Sequence, residues 1–141
     1  MNEHSFIRAV HGYLPPEVFR WKIHDTFAGG VPDAFYAGPA STLFVEYKYV
    51  KAFPKRPTSP IKTTLSAQQI YWLNAMHQYN QPVAVVIGCE KQAVILQNKA
   101  WDSTLSKEEF LSQAVTFNNV SVWIHNKVSH GIRYPPTNAF R

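Results

Sequence analysis

The chain has 141 residues, 45% of them hydrophobic and 16% charged, which is the length and balance of one globular domain and excludes a disordered polyanion or polycation. Fourteen Lys and Arg against nine Asp and Glu leave a net charge of +5, which favours polyanionic partners through long-range attraction and counterion release without demanding one. Apolar stretches such as Val83 to Ile87 fall far short of the ~20 residues of a membrane span, and Met1-Asn2-Glu3-His4 lacks the basic flank and apolar run of a leader, so no membrane association is expected.

From Glu3 to Leu14 the apolar residues Phe6, Ile7, Val10 and Leu14 recur at helical spacing, and Pro15-Pro16 stops the pattern. Val18 to His24 alternates as a strand, with Phe19, Trp21 and Ile23 on one side, read as the buried one, and Arg20, Lys22 and His24 on the polar side. Gly29-Gly30 permits a sharp turn. Val31 to Tyr36 and Leu43 to Tyr49 read as two more strands around the turn-rich segment Ala37 to Thr42, so an antiparallel meander is expected.

Lys51 to Thr64 holds three prolines and four basic residues with no acid, which predicts an extended loop. Ser66 has the chemistry of an N-cap for a helix through about Tyr79, whose apolar side includes Ile70, Leu73, Met76 and Tyr79. Pro82 to Gly88 is a β-branched run suited to a strand covered on both faces, with Gln92 to Gln97 beside it. Cys89, the one cysteine, excludes an internal disulfide or a thiolate metal cage, as in a reducing cytoplasm, and reads as a small strand-end residue. Ser106 to Glu109 predicts a capped helix, Val120 to His125 a last short strand, and the tail from about 131, with Pro135-Pro136, an irregular end of a single domain spanning 1–141. Trp21, Trp72, Trp101 and Trp123 read as core or interface fillers.

The chemistry concentrates in Gly30-Val31-Pro32-Asp33 and Phe44-Val45-Glu46-Tyr47-Lys48. Residues two apart in a strand face the same way, so Glu46 and Lys48 project together while Val45 and Tyr47 face away. If the preceding strand is the hairpin partner, Asp33 lies near Glu46, and the two carboxylates suit a hard divalent cation. Such a cation polarises a phosphate and acidifies water. A lysine beside it supplies positive charge where negative charge grows. Either short string alone is common; their ordered combination, followed by an amphipathic helix bearing Gln69, is what carries weight.

At these residues the sequence resembles the PD-(D/E)XK nuclease superfamily, and within it the virus-type replication-repair (VRR-NUC) branch, in Gly30-Val31-Pro32-Asp33, Glu46-Tyr47-Lys48 and Leu65-Ser66-Ala67-Gln68-Gln69. The resemblance spans roughly Glu3 to Gly88; it departs in the long interval from Lys48 to Gln69, and no motif is recognised after Lys91. It implies a restriction-endonuclease-like α/β fold, a mixed central sheet flanked by helices, and a DNA nuclease of phage or bacterial DNA processing. It further implies that Asp33 and Glu46 bind Mg²⁺ or Mn²⁺, that the backbone carbonyl of Tyr47 adds a ligand, that Lys48 is catalytic, that Gln69 shapes the site, and that Glu3 joins the metal ligands.

Two of these residues have an ordinary role available. Ser66-x-x-Gln69 is also a capping box, and Glu3 suits a helix N-terminus, where negative charge offsets the dipole. Lys51, Lys55, Arg56 and Lys62 follow the catalytic strand and read as phosphate contacts, with Arg20 and Lys22 either extending that field or merely solvated. Structure-selective cutting of branched or Holliday-junction DNA, with a homodimer supplying two sites, is the favoured substrate reading. A non-catalytic nucleic-acid or protein-binding module on the same scaffold and a restriction-type endonuclease are the alternatives.

Overall fold

A computed structural model describes residues 1–24 and 29–130. The chain opens with α1 (Glu3–Tyr13) and then lays down β1 (Phe19–Lys22), β2 (Ala34–Ala37) and β3 (Thr42–Val50) as the expected antiparallel meander. A crossover through α2 (Ala67–Gln78) brings β4 (Val83–Cys89) parallel to β3, and β5 (Gln92–Leu96) returns antiparallel to β4. After α3 (Lys107–Gln113), the two-residue β6 (Val115–Thr116) closes the sheet beside β5 and runs into α4 (Phe117–Ser129). Strand order follows chain order, β1 to β6, and one parallel pair among antiparallel ones makes the sheet mixed. This is the α/β class that the sequence predicts.

Two cores sandwich the sheet. On one face Phe6, Ile7 and Val10 of α1 and Val120, Ile124 and Val128 of α4 pack on Leu43, Val45 and Tyr47 of β3. On the other, Leu73 of α2 and Phe110 of α3 pack on Val85 and Ile87 of β4. Every residue of β4 is buried, and each fully buried Val or Ile contributes about 1.5–3 kcal/mol, so the central strand anchors both layers. Cys89 ends it as a buried thiol pushed up to about 11 by burial.

Helix ends are capped as their sequences dictate. Ser66 and Ser106 form reciprocal capping boxes with Gln69 and Glu109, and Asn2 does the same with Ser5, each cap worth about 0.5–2 kcal/mol. Tyr79, assigned to the apolar side of α2, is exposed instead. Among the described residues no helix is long and apolar enough to cross a membrane. The tail from about 131 lies outside the described residues.

Two further expectations are corrected. Val120 to His125 is not a strand but the middle of α4, because Phe117, Val120, Ile124 and Val128 follow helical spacing and Thr116 caps the start by accepting from the Asn119 N–H. In β1 the polar side is the more covered one: Arg20 donates to the carbonyls of His11 and Pro15, satisfying the exposed end of α1, while Phe19 and Trp21 stay exposed. An arginine that neutralises helix-end carbonyls has a structural role within the chain.

Candidate active site

The acidic cluster is assembled by a turn, a strand and two helix starts. Gly30 has φ +77°, and a Cβ there would come within 2.5 Å of the Gln68 carbonyl oxygen. Only glycine therefore lets the 29–32 segment lie against the first turn of α2. Pro32 is buried behind it, and the Ile23 N–H donates to the Asp33 carbonyl at 2.8 Å. The β2–β3 ladder starts at Ala34↔Val45, so one step back sets Asp33 across from Glu46. Its Oδ2 accepts the Tyr47 N–H at 2.8 Å, using a donor that β2, not yet begun, does not take.

Glu46 is only 1% exposed. Lys48, two residues on and on the same face, brings its Nζ to 3.4 Å from Glu46 Oε2. From α2, Gln69 Nε2 donates to that same oxygen at 2.9 Å, while Gln69 Oε1 accepts the Ser66 N–H at 2.9 Å. Opposite ends of one amide thus serve the helix cap and contact the Glu46 carboxylate. Glu3, in the first turn of α1, also reaches the cluster: one carboxylate oxygen each of Glu3, Asp33 and Glu46 lie within 4.8 Å of one another.

The electrostatics are those of acids forced together. Burial, then the neighbouring Asp33 carboxylate, pushes Glu46 up to about 8, and Lys48 only partly opposes this. Asp33 is raised by burial, against the pull of the Tyr47 N–H and of Lys48. Glu3 is raised by burial and by Asp33. Among the described residues Glu46 Oε1 is buried with no hydrogen-bond partner, an arrangement that ordinarily costs about 1–3 kcal/mol. A hard divalent cation fits this donor set, since three carboxylate oxygens converge, their repulsion would be relieved, and the orphaned oxygen would gain a partner.

The remaining expected residues distribute as follows. The Tyr47 peptide borders the acids, but its ring turns to the opposite core, where its hydroxyl lies 2.6 Å from the Tyr36 hydroxyl, itself 2.7 Å from His11 Nε2. Lys51, Lys55, Arg56 and Lys62 are all exposed. Their loop is not free, because Ile61 is buried and its N–H donates to the Leu105 carbonyl, while Lys107 and Glu108 N–H groups donate to Ser59 and Pro57. Lys22 hydrogen-bonds His4 and opposes the rise of Glu3 and Asp33. The Lys22 and His4 pairing escapes sequence reasoning, since nothing in residues eighteen apart signals contact. Trp101 is buried, donating to Asn74, whereas Trp21 is half exposed.

No protein-family model matches the chain, and no curated protein matches it in sequence. In fold it is similar to Hjc from the archaeal hyperthermophile Archaeoglobus fulgidus, a Holliday junction resolvase, with a TM-score of 0.52 over 86% of this chain and 97% of that one. Only 12% of the residues are identical, so the likeness is one of fold.

Proposed function

We propose that this protein is a divalent-metal-dependent DNA nuclease of the PD-(D/E)XK type, in the virus-type replication-repair branch, acting on branched DNA in phage or bacterial DNA processing. The observation that carries the reading is the convergence of Glu3, Asp33 and Glu46 within 4.8 Å beside Lys48, with one buried Glu46 oxygen lacking a hydrogen-bond partner among the described residues. A non-catalytic binding module has no use for such an arrangement, because unsatisfied buried carboxylate costs stability and returns nothing without a cation. The likeness in fold to a Holliday junction resolvase supports the choice of branched DNA.

Asp33, Glu46 and Glu3 would hold Mg²⁺ or Mn²⁺, with the Tyr47 carbonyl as a further ligand. Bound there, the cation supplies Lewis-acid polarisation of a phosphate oxygen and acidifies water. Lys48 holds an ammonium charge at the edge of the cluster, where it stabilises negative charge growing on the phosphate. Gln69 fixes Glu46 Oε2 and leaves Oε1 free to ligate. The Tyr47 N–H fixes Asp33 in the same way. The exposed Lys51, Lys55, Arg56 and Lys62 contact phosphates and position the duplex without reading its sequence.

The test is cleavage of supercoiled, linear, single-stranded and four-way-junction DNA with and without Mg²⁺ or Mn²⁺. Metal-dependent cutting, preferring the junction and lost in Glu46→Ala, is expected. Absence of cutting on every substrate, or full activity in Glu46→Ala, overturns the proposal. Discrete bands from a long natural DNA would instead mark a restriction-type enzyme.

A further inference from the structure

Residues 61–65, ahead of α2, and residues 101–105, ahead of α3, take no part in the acidic cluster, yet they are drawn together beside it. Pro60 bridges to Ser106, and the Ile61 N–H donates to the Leu105 carbonyl at 2.7 Å. Between these two stretches and the sheet lies a cavity of about 390 Å³, within the ~300–1,000 Å³ of small-ligand sites. Ile87 of β4, Leu96 of β5 and Ile70 of α2 give it apolar walls, together with Trp101, whose indole N–H donates to Asn74 at 2.9 Å. The opening of α2 belongs to both places: Gln69 donates to Glu46, and the next residue, Ile70, lines the cavity. Ile87 is likewise the register partner of Lys48 across the β3–β4 ladder.

We propose that this cavity receives one unpaired nucleobase of the DNA, next to the phosphate presented to the acidic cluster, a placement that rests on the nuclease reading of that cluster. Charge is the first support. The charged residues bordering the cavity are Lys62 and Asp102, both exposed, and Asp102 already lies 3.5 Å from Lys99. The interior is therefore neutral, which suits a flat uncharged ring and disfavours a phosphate. Lys62, at the rim, is available to the phosphate that follows the base.

Hydroxyl chemistry is the second support. Thr63, Thr64, Ser103 and Thr104 border the cavity, and among the described residues none of their hydroxyls is hydrogen-bonded within the chain. A hydroxyl both donates and accepts, so such a rim meets the polar edge of any base and discriminates little among them. That is recognition of an unpaired base as such, without a sequence. A base inside a duplex must first be unstacked and unpaired, whereas one at a branch is already partly free and enters at lower cost. The cavity thereby gives the preference for branched DNA a structural seat, apart from the residues that would hold the metal.

The test compares two DNA duplexes, one with a one-nucleotide bulge and a twin whose bulged nucleotide lacks its base. Binding of each to the metal-free full chain is measured by fluorescence anisotropy. Wild type should bind the complete bulge roughly tenfold more tightly than its twin, the scale of one stacked base. Thr64→Trp and, separately, Thr104→Trp occlude the cavity from exposed positions in different segments, so either answers if the other does not fold. Each should bring the ratio close to unity while affinity for the base-free twin is kept. Val122→Trp, on α4 across the sheet and 47% exposed, should leave the ratio intact. Equal binding of the twins by wild type overturns the proposal, as does a ratio that survives both occluding substitutions, which would seat the base elsewhere. Cleavage is then read with Mg²⁺. A base-dependent binding ratio without cutting of any DNA sinks the nuclease reading alone; metal-dependent cutting with equal binding of the twins sinks the cavity proposal alone.

Discussion

Tyr47 and Glu46 are consecutive residues of one strand, both essentially inaccessible to solvent, and they solve the burial of a polar group in opposite ways. The Tyr47 hydroxyl joins Tyr36 and His11 in a chain of short hydrogen bonds, and burial holds both phenols well above their ordinary range and His11 down at about 4, so the chain stays neutral. Among the described residues Glu46 has Lys48 and Gln69 on one oxygen and no hydrogen-bond partner on the other, with further acids beside it. The first arrangement is complete within the chain and stabilises it. The second is incomplete, and incompleteness at a buried carboxylate points to something supplied from outside.

The largest expected effect breaks the incomplete side. Glu46→Gln should reduce metal-dependent cleavage by at least ~100-fold, the scale of losing a principal transition-state group. It should also stabilise the metal-free protein at pH 8. The native carboxyl holds its proton up to about 8 while the unfolded chain releases it near 4.5, so the native state binds more protons between those values and stability falls as pH rises through the window. Asp33 and Glu3, both raised, act in the same direction. Thermal melts of metal-free wild type should show this fall, Glu46→Gln should flatten it, and Mg²⁺ should oppose it by binding only the native state. A melting temperature that climbs with pH across this window in wild type contradicts the site as described.

A smaller effect is expected of Gln69→Ala, which frees Glu46 Oε2 and removes half of a capping box. Removing a group that orients a metal ligand weakens metal affinity by roughly 10–100-fold, measurable as a shift in the Mg²⁺ dependence of cleavage. Rescue of affinity by Gln69→Glu, whose carboxylate cannot donate to Glu46, would show that capping alone was at stake. The smallest effect on activity belongs to the complete side: Tyr36→Phe should cost about 1–3 kcal/mol in urea unfolding and change cleavage by less than about threefold, a near-neutral factor on the free-energy scale. If Tyr36→Phe instead abolishes cleavage while unfolding normally, the two sides of β3 are not functionally separate.

Much of this was legible before any coordinates. Period-two alternation put Glu46 and Lys48 on one face, and the Ser66 cap set the start of α2 and so the position of Gln69. The failures have local causes. Val120 to His125 carries enough β-branched residues to imitate a strand, and only its docking against α1 and β3 reveals the helical period. Phe19 and Trp21 alternate like a buried face because alternation states that two sides differ, not which of them the fold covers.

The sequence by itself determined the elements up to β5, the meander, the acid and lysine pairing on β3 and the caps, because each depends on residues close in the chain whose periodicity or hydrogen-bond chemistry is local. Only the tertiary structure decided that Glu3 joins Asp33 and Glu46, that Gln69 serves cap and carboxylate together, and that the aromatic side of β1 is the open one. Those outcomes follow from how α1 and α2 seat against the two faces of the sheet, a packing arrangement of distant segments that no local spacing encodes.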